Sequence, residues 1–250
     1  MAAAAQASGA LIVCATPIGN LGDINSRVVE ALAAADAILA EDTRVTRRLL
    51  AHLGIHTPLE RCDENVIRSR CDELVARIAA GERLALVSDA GTPAISDPGA
   101  VLVAAVRAAG LKVEVLPGAS SVLTALVASG FVAPAFYFGG FLPRKGGERS
   151  GLLRELAALP AVLVFFESAA RTMASLATIA EALPGRRVCL ARELTKLHEE
   201  VLIDDAAALL AELEARRTAG QPLKGEVVLV IEAPGKPAAR EHVDKYGSTG

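Results

Sequence analysis

One loop segment carries many of the residues that could bind and process a small ligand. It runs from Val87 to Gly99 and reads VSDAGTPAISDPG. Its two glycines allow a close backbone approach, its Ser and Asp side chains donate or accept hydrogen bonds, and its two prolines stiffen the path. This combination of residue types is uncommon in a simple connecting loop.

Two widespread phosphate-binding signatures are absent from the chain. No GxGxxG follows the first strand-like stretch and no GxxxxGK[ST] occurs anywhere, so neither a Rossmann dinucleotide site nor a P-loop has support. The four cysteines form no CxxC pair and the four histidines show no ligand spacing. We therefore predict reduced thiols and no metal site.

Four repeats of one pattern must position the Val87–Gly99 loop. In each, an apolar, strand-like stretch ends in a polar loop, and an amphipathic segment follows. The four stretches are Leu11–Ala15, Ala37–Ala40, Leu84–Val87 and Val113–Leu116. This alternation predicts a mostly parallel sheet, and ligands of such sheets bind outside the carboxyl ends of the strands. The four loops should therefore share one edge.

Helix starts support this register. Asp97 can cap a helix with Pro98 at its first position, and Ser120 or Ser121 can cap the next one. Beyond a Gly-rich, basic segment at 141–149, strand-like stretches resume and alternate with helical ones. The strands are predicted at Val162–Phe166, Val188–Ala191 and Val227–Ile231, the helices at Gly151–Leu159, Thr172–Leu183 and Ala206–Arg217, and Phe136, Tyr137 and Phe138 look like strand core.

These elements predict an α/β protein with a mostly parallel N-terminal sheet and a second, mixed α/β lobe. We predict a flexible N-terminus at 1–10, an N-terminal lobe at 11–134 and a C-terminal lobe at 135–234. The tail at 235–250 resembles a truncation or cloning remnant. A cleft between two lobes is the default place for a ligand.

Bulk properties exclude several other classes of protein. The net charge of -3 argues against coating of bare nucleic acid by the overall field, so any RNA contact must come from local patches. The N-terminus lacks a secretory signal pattern, which predicts a cytoplasmic protein. The uncharged stretch Val115–Pro143 is interrupted by glycines and prolines, so we do not predict a membrane span.

Several short runs together resemble the tetrapyrrole methylase superfamily and, within it, the cytidine 2′-O-methyltransferases of small-subunit ribosomal RNA. The runs occur in the family's order between Leu11 and about Glu232. They are Thr16–Ile24, Ala40–Arg44, Leu86–Pro93, Leu116–Gly118, Gly140–Pro143, Phe166–Ser168, Ala191–Lys196 and Lys224–Glu226.

The resemblance implies a two-lobed homodimer that binds S-adenosylmethionine in the cleft and acts on 16S ribosomal RNA in the small ribosomal subunit. Carried over by position, the cofactor contacts are Pro17, Ala90, Gly91, Thr92, Ile95, Ser120, Ser121, Glu167 and Leu194. Methyl transfer from a sulfonium to a hydroxyl is an in-line displacement, which gains most from alignment and further from a base. We hypothesise that one of four acids assists deprotonation, namely Asp89, Glu41, Asp42 or Glu193, and that Arg44, Arg192 and Lys196 orient the substrate.

Simpler explanations exist for the same residues. Acids at strand ends often cap loops and helices, as Asp89, Glu41 and Asp42 could. Arg44, Arg47 and Arg48 could be a solvated helix face, and the basic residues Arg144, Lys145, Arg149 and Arg154 could merely solubilise a linker. The alternative functions are a precorrin-type or diphthine-type methyltransferase of the same superfamily, or a non-catalytic cofactor-binding module.

Overall fold

The computed structural model describes residues 9–96 and 99–235. The predicted helix start at Asp97 and Pro98 lies outside the described residues, as do nearly all of the predicted N-terminal segment and tail. Contacts between backbone positions divide the described chain into two units. One unit comprises residues 9–128 and Ala191–Val201, and the other comprises Ser129–Leu190 and residues 202–235. The predicted lobe boundaries stay a prediction.

The first unit contains a five-stranded sheet in the order β3-β2-β4-β1-β5, and every pairing in it is parallel. The central strands β1, β2 and β4 are almost wholly buried, which explains their continuous apolar sequences. The bounds are β1 Ala10–Cys14, β2 Ala37–Ala40, β3 Leu59–Arg61, β4 Arg83–Val87 and β5 Lys112–Leu116. The predicted parallel sheet is confirmed.

Helices cover both faces of this sheet because successive strand residues point to opposite sides. Leu11 and Leu39 pack with side chains of α3 and α4, whereas Ile12 and Ile38 pack with side chains of α1 and α2. The helices are α1 Ser26–Ala34, α2 Thr43–Leu53, α3 Glu64–Ala79, α4 Ala100–Ala108 and α5 Ser121–Ser129, and a short 3-10 helix spans Leu21–Asp23.

The second unit contains a sheet in the order β6-β7-β10-β8-β9. Strand β6 runs parallel to β7, and β7 runs antiparallel to β10, so the predicted mixed sheet is confirmed. The strands are β6 Phe136–Phe141, β7 Val162–Ser168, β8 Arg187–Arg192, β9 Glu200–Asp205 and β10 Glu226–Ile231. The helices are α6 Gly146–Glu155, α7 Ala169–Ala182 and α8 Ala206–Thr218, with a 3-10 turn at Leu156–Ala158.

Edge strands account for the main errors of the sequence prediction. Strands β3 and β9, which the sequence analysis does not predict, lie at sheet edges, and none of their residues is buried. Strand β6 is also an edge strand, and Phe136 is 45% exposed, so the prediction of strand core was wrong there. The predicted start of α6 at Gly151 was late, since the helix begins at Gly146.

The long uncharged stretch Val115–Pro143 is divided among the end of β5, helix α5, strand β6 and the loops between them. Across the described residues, we find no helix with both the length and the apolar character needed to cross a membrane.

Candidate functional site

Hydrogen bonds join the loops after β1 and β4 at the carboxyl edge of the first sheet. The Thr16 N–H donates to the Gly91 carbonyl at 2.8 Å, and the Gly91 N–H donates back to the Thr16 carbonyl at 3.1 Å. The Thr16 hydroxyl donates to the Ser88 carbonyl at 3.1 Å, and the Ser88 hydroxyl donates to the Gly91 carbonyl at 3.3 Å. Thr16 and Ser88 are missing from the predicted site, yet they fix the Ala90–Gly91–Thr92 backbone.

Glycine is required where these loops come closest. Gly91 has a φ of +80°, and a Cβ there would lie 3.3 Å from Ile18 Cγ2. A Cβ at Gly118, in the loop after β5, would lie 2.8 Å from the Ala15 Cβ. The loops after β1, β4 and β5 therefore pack at backbone distance, as the shared-edge prediction requires.

The loop after β5 also confirms one predicted helix cap. Helix α5 begins at Ser121, and the Leu123 N–H donates to Ser120 Oγ at 3.4 Å. This bond satisfies one of the N–H groups that have no partner inside the helix. Ser120 and Ser121 thus lie at the same sheet edge as Gly91.

Two acids meet where the loops after β2 and β4 approach each other. The Asp42 N–H donates to Asp89 Oδ1 at 3.1 Å. Asp42 itself caps α2, because its Oδ1 accepts from the Arg44 N–H at 2.8 Å and its Oδ2 pairs with Arg44 Nη2 at 2.6 Å. The simpler explanation, in which Asp42 caps a helix, therefore agrees with the contacts of Asp42.

The pKa values of the two acids shift in opposite directions. Hydrogen bonds from the Arg44 side chain and backbone hold the pKa of Asp42 well below its usual range. Desolvation raises the pKa of Asp89, and the negative charge of Asp42 adds to this shift. A proton acceptor needs a pKa closer to neutrality than that of an ordinary aspartate, so Asp89 is better suited than Asp42 to act as a base. Glu41 is partly buried beside them.

The segment after β8 packs on the loop after β1, within the same unit. A Cβ at Gly19 would lie 2.4 Å from Lys196 Cγ, 2.8 Å from Thr195 Oγ1 and 2.9 Å from the Leu194 carbonyl oxygen. Leu194 is buried, with 6% of its surface exposed. The structure therefore brings the predicted residues Pro17, Gly91 and Leu194 to neighbouring loops.

Two ion pairs involve residues of that segment and the end of β8. Lys196 Nζ donates to Glu193 Oε1 at 2.9 Å, and Arg192 Nε donates to Glu200 Oε2 at 3.2 Å. The Glu193 carboxylate is therefore engaged by a cation.

Left-handed backbone conformations concentrate in the same two loops. Among the described residues, the non-glycine positions with positive φ are Ala94 (+69°), Ser96 (+64°), Glu193 (+50°) and Thr195 (+65°). Such conformations cost free energy, and they often occur at ligand sites, where the surrounding structure enforces them. Both loops contain residues of the predicted cofactor set, namely Ala90 to Ile95 and Leu194.

Glu167 lies in the second unit and has a different environment. Its side chain is fully buried, and its carboxylate accepts from the Ser168 N–H at 2.8 Å and from Ser175 Oγ at 2.6 Å. Arg171 Nη2 pairs with it at 2.5 Å. Protein groups surround this carboxylate, which favours a structural role for it over direct contact with a cofactor.

Basic residues divide into structural and exposed groups. Arg149 is 6% exposed and bonds to oxygen atoms of Pro143, Arg144, Ala174 and Thr178, so it stabilises the α6–α7 region. Arg47 and Arg48 are exposed on α2. Within the described ranges, no group of three or more His, Cys, Asp or Glu side chains could hold a metal ion.

Comparison with known proteins agrees with this fold and with these motifs. The model of the tetrapyrrole (corrin/porphyrin) methylase family matches residues 10–210. The chain belongs to this family. A ribosomal RNA small subunit methyltransferase I from Mesorhizobium japonicum is 44% identical over 236 residues, covering 94% of the chain and 79% of that protein. Relatives from other bacteria at 42–44% identity carry the same name, so the chain is a methyltransferase of this group.

Solved structures support the same architecture. A cobalt precorrin-4 methyltransferase has a TM-score of 0.64 at 19% identity, covering 89% of the chain and 94% of that structure. A uroporphyrin-III C-methyltransferase from Thermus thermophilus, complexed with S-adenyl homocysteine, has a TM-score of 0.58 at 19% identity, covering 90% and 97%. At this identity the likeness establishes the fold, and it confirms the predicted fold class.

Proposed function

We propose that the chain transfers a methyl group from S-adenosylmethionine to the ribose 2′-hydroxyl of a cytidine in 16S ribosomal RNA. One observation carries the proposal. The loop after β1 pairs with Gly91 through Thr16, and it packs through Gly19 against Leu194, Thr195 and Lys196. It therefore joins the two loops that contain left-handed residues and predicted cofactor contacts, one of which also carries Asp89.

The residues at this edge fit S-adenosylmethionine. Gly91 is buried, carries no side chain and bonds to Thr16 through its N–H and carbonyl, so it holds the two loops close together. Thr195 Oγ1 is a buried polar atom without a partner among the described residues. Ile95 exposes 47% of its surface and offers an apolar contact. Within the first unit, Pro17, Ala90, Gly91, Thr92, Ile95, Ser120, Ser121 and Leu194 would hold the cofactor. Glu167 would act by positioning the end of β7.

Asp89 is the proposed base. When bound, S-adenosylmethionine supplies a methyl group on a sulfonium, open to in-line displacement. Alignment of the substrate hydroxyl by the chain can contribute up to about 7–11 kcal/mol in ideal cases, and a base can add about 100- to 10,000-fold. Asp89 would accept the 2′-hydroxyl proton, since Asp42 is paired with Arg44 and Glu193 with Lys196. Glu41 remains the alternative acceptor.

Cations next to the acids would orient the RNA. Arg44 is 83% exposed although it pairs with Asp42, so its guanidinium can also reach a phosphate. Lys196 and Arg192 are half-buried, and we propose that they orient the acceptor nucleotide. Because the chain is acidic overall, recognition should depend on the folded ribosomal subunit presenting one nucleotide.

Sequence identity favours this function over the alternatives within the superfamily. The proteins named for small-subunit ribosomal RNA are 42–44% identical to the chain, whereas a solved precorrin methyltransferase and a diphthine synthase are 19% and 13% identical. Substrate contacts diverge faster than the fold, so the ribosomal substrate is the better supported one. We also propose that the protein is cytoplasmic and forms a homodimer. Sedimentation analysis of the purified chain tests the dimer directly.

The test combines cofactor binding with product analysis. Calorimetry should show S-adenosylmethionine binding to the chain, and incubation with undermodified small ribosomal subunits should yield 2′-O-methylcytidine by nucleoside mass spectrometry. Cofactor binding with transfer only to a tetrapyrrole or a modified protein side chain would favour the precorrin-type or diphthine-type alternative. Binding without transfer to any of these acceptors would favour a non-catalytic module.

A further inference from the structure

Thr195 combines a buried hydroxyl oxygen, the lack of a hydrogen-bond partner for that oxygen, and a left-handed backbone. Its hydroxyl oxygen is buried and has no hydrogen-bond partner among the residues that the structure describes. Its φ is +65°, which is rare for a β-branched residue. A buried hydroxyl without a partner costs free energy, so this position lowers the stability of the chain when no ligand is bound.

Surrounding contacts hold Thr195 in this conformation. Its N–H donates to Glu199 Oε2 at 2.5 Å, and the Lys196 N–H closes a turn onto the Glu193 carbonyl at 3.0 Å. Glu193, at the start of the turn, also has a left-handed backbone. The turn is therefore fixed by its own bonds, and the hydroxyl direction does not result from a loose loop.

The hydroxyl lies against the loop that leads to Gly91. A Cβ at Gly19 would be 2.8 Å from Thr195 Oγ1, so only glycine permits this approach. Three residues before Gly19, Thr16 pairs with Gly91 through two backbone hydrogen bonds. The unsatisfied oxygen thus lies against the same loop that pairs with Gly91, a residue assigned above to the cofactor.

We propose that the Thr195 hydroxyl forms a hydrogen bond with an uncharged polar atom in the nucleoside part of S-adenosylmethionine. The inference rests on the proposed function. Glu193 pairs with Lys196, and the Glu199 carboxylate accepts from the Thr195 N–H, so these charged side chains already have bonding partners and a neutral hydroxyl suits a neutral partner. Cofactor binding then satisfies the oxygen that the free chain leaves unpaired.

The experiment compares Thr195→Val with Thr195→Ser. Valine keeps the shape and β-branching but removes the hydroxyl, whereas serine keeps the hydroxyl. Calorimetry with S-adenosylhomocysteine should show about 5- to 10-fold weaker binding for T195V, the loss of one neutral hydrogen bond, and binding within about twofold of native for T195S. The ligand-free melting temperature of T195V should be unchanged or higher, because an unsatisfied polar atom has been removed.

Thr172→Val is the matched control. The Thr172 hydroxyl donates to the Ser168 carbonyl at 2.9 Å in a fully buried residue of the second unit. This variant should lower the ligand-free melting temperature and leave the affinity for S-adenosylhomocysteine unchanged. If T195V behaved in the same way, the hydroxyl would have a structural role and the inference would be overturned.

A second probe tests the nucleoside assignment. Methylthioadenosine lacks the amino-acid group, so T195V should weaken its binding by the same factor. A loss seen with S-adenosylhomocysteine alone would overturn the assignment. If the native chain bound neither probe, the proposed function would fail together with this inference, whereas native binding with unchanged T195V binding would overturn only the inference.

Discussion

The end of β7 and the segment after β8 both contain predicted cofactor contacts, Glu167 in one and Leu194 in the other, but their polar groups are bonded differently. Around Glu167, a serine, a backbone N–H and an arginine all engage the buried carboxylate. Around Leu194, two residues have left-handed backbone and one buried hydroxyl has no partner among the described residues.

We infer that this difference separates residues that stabilise the fold from residues that we propose to bind the ligand. A saturated polar cluster has little left to offer a ligand and stabilises its own unit. Strained conformations cost free energy, and they cluster at sites that bind ligands. Arg186 in the second unit is the exception, since its buried Nη1 also lacks a partner and burial lowers its pKa. The structure gives no reason for this unpaired atom.

Asp89→Asn should have the largest effect on turnover. Removing the base should lower methyl transfer by about 100- to 10,000-fold while S-adenosylmethionine affinity stays near native, as single-turnover assays and calorimetry can establish. Desolvation raises the pKa of Asp89, so Asp89 takes up a proton at a higher pH than an ordinary aspartate does. As the pH is lowered, native activity should therefore begin to fall at that higher pH. This limb should vanish in D89N.

Asp42→Asn is the control for D89N. Asparagine caps a helix about as well as aspartate, so α2 should be retained while the charge is removed. If D42N lost as much turnover as D89N, the assignment of the base to Asp89 would be wrong.

Glu167→Gln should have the largest effect on stability. Loss of the charge leaves Arg171 without its carboxylate, and we expect about 2–4 kcal/mol lower unfolding free energy, because Arg171 is partly exposed and still donates to the Leu142 carbonyl. Urea denaturation measures this value. Cofactor affinity, measured at urea concentrations well below the unfolding transition, should stay within about threefold of native. A large loss of affinity with native stability would instead indicate that Glu167 contacts the cofactor.

Gly91→Ala should affect both stability and binding. An L residue at φ +80° costs about 1–2 kcal/mol, and the new methyl would crowd Ile18. Gly54→Ala is the matched control, because Gly54 has φ +69° with no atom within 4 Å of the added Cβ. Both variants should lose stability in denaturation, but only G91A should also lose S-adenosylmethionine affinity. Equal affinities would remove Gly91 from the site.

Replacing Arg47 and Arg48 with glutamine should have the smallest effect. Both are exposed on α2, next to the Asp42 cap. If they contact phosphates, the slope of log affinity for the ribosomal subunit against log salt should fall by about 0.7 per arginine. Arg68→Gln, on exposed α3 surface, should leave the slope unchanged. An unchanged slope in the double variant would indicate a solvated helix face.

The fold was largely predictable because its central strands are buried on both faces. The central strands β1, β2 and β4 were placed within one residue at each end, and so was the edge strand β5, in which Val113 and Leu116 are buried. The parallel order then brought their loops to one edge. Edge strands β3 and β9 escaped prediction because exposed strands need no apolar pattern.

The sequence motifs propose the residues of the site, but they do not predict how those residues are bonded. The motifs pointed to Gly91, Asp89 and Leu194. The sequence cannot show that Arg44 forms an ion pair with Asp42, or that the pKa of Asp89 is raised. It also cannot show that Thr195 adopts a left-handed backbone, because β-branched residues disfavour it. This conformation is held by bonds within the turn, and the turn packs against Gly19, which is distant in the sequence.

Nucleoside mass spectrometry of undermodified small ribosomal subunits, incubated with S-adenosylmethionine and either the native chain or D89N, tests the central claim most directly. The account predicts 2′-O-methylcytidine with the native chain and very little with D89N, although both bind the cofactor equally. A native chain that binds the cofactor but methylates a base carbon or nitrogen, or equal product from D89N, would contradict it.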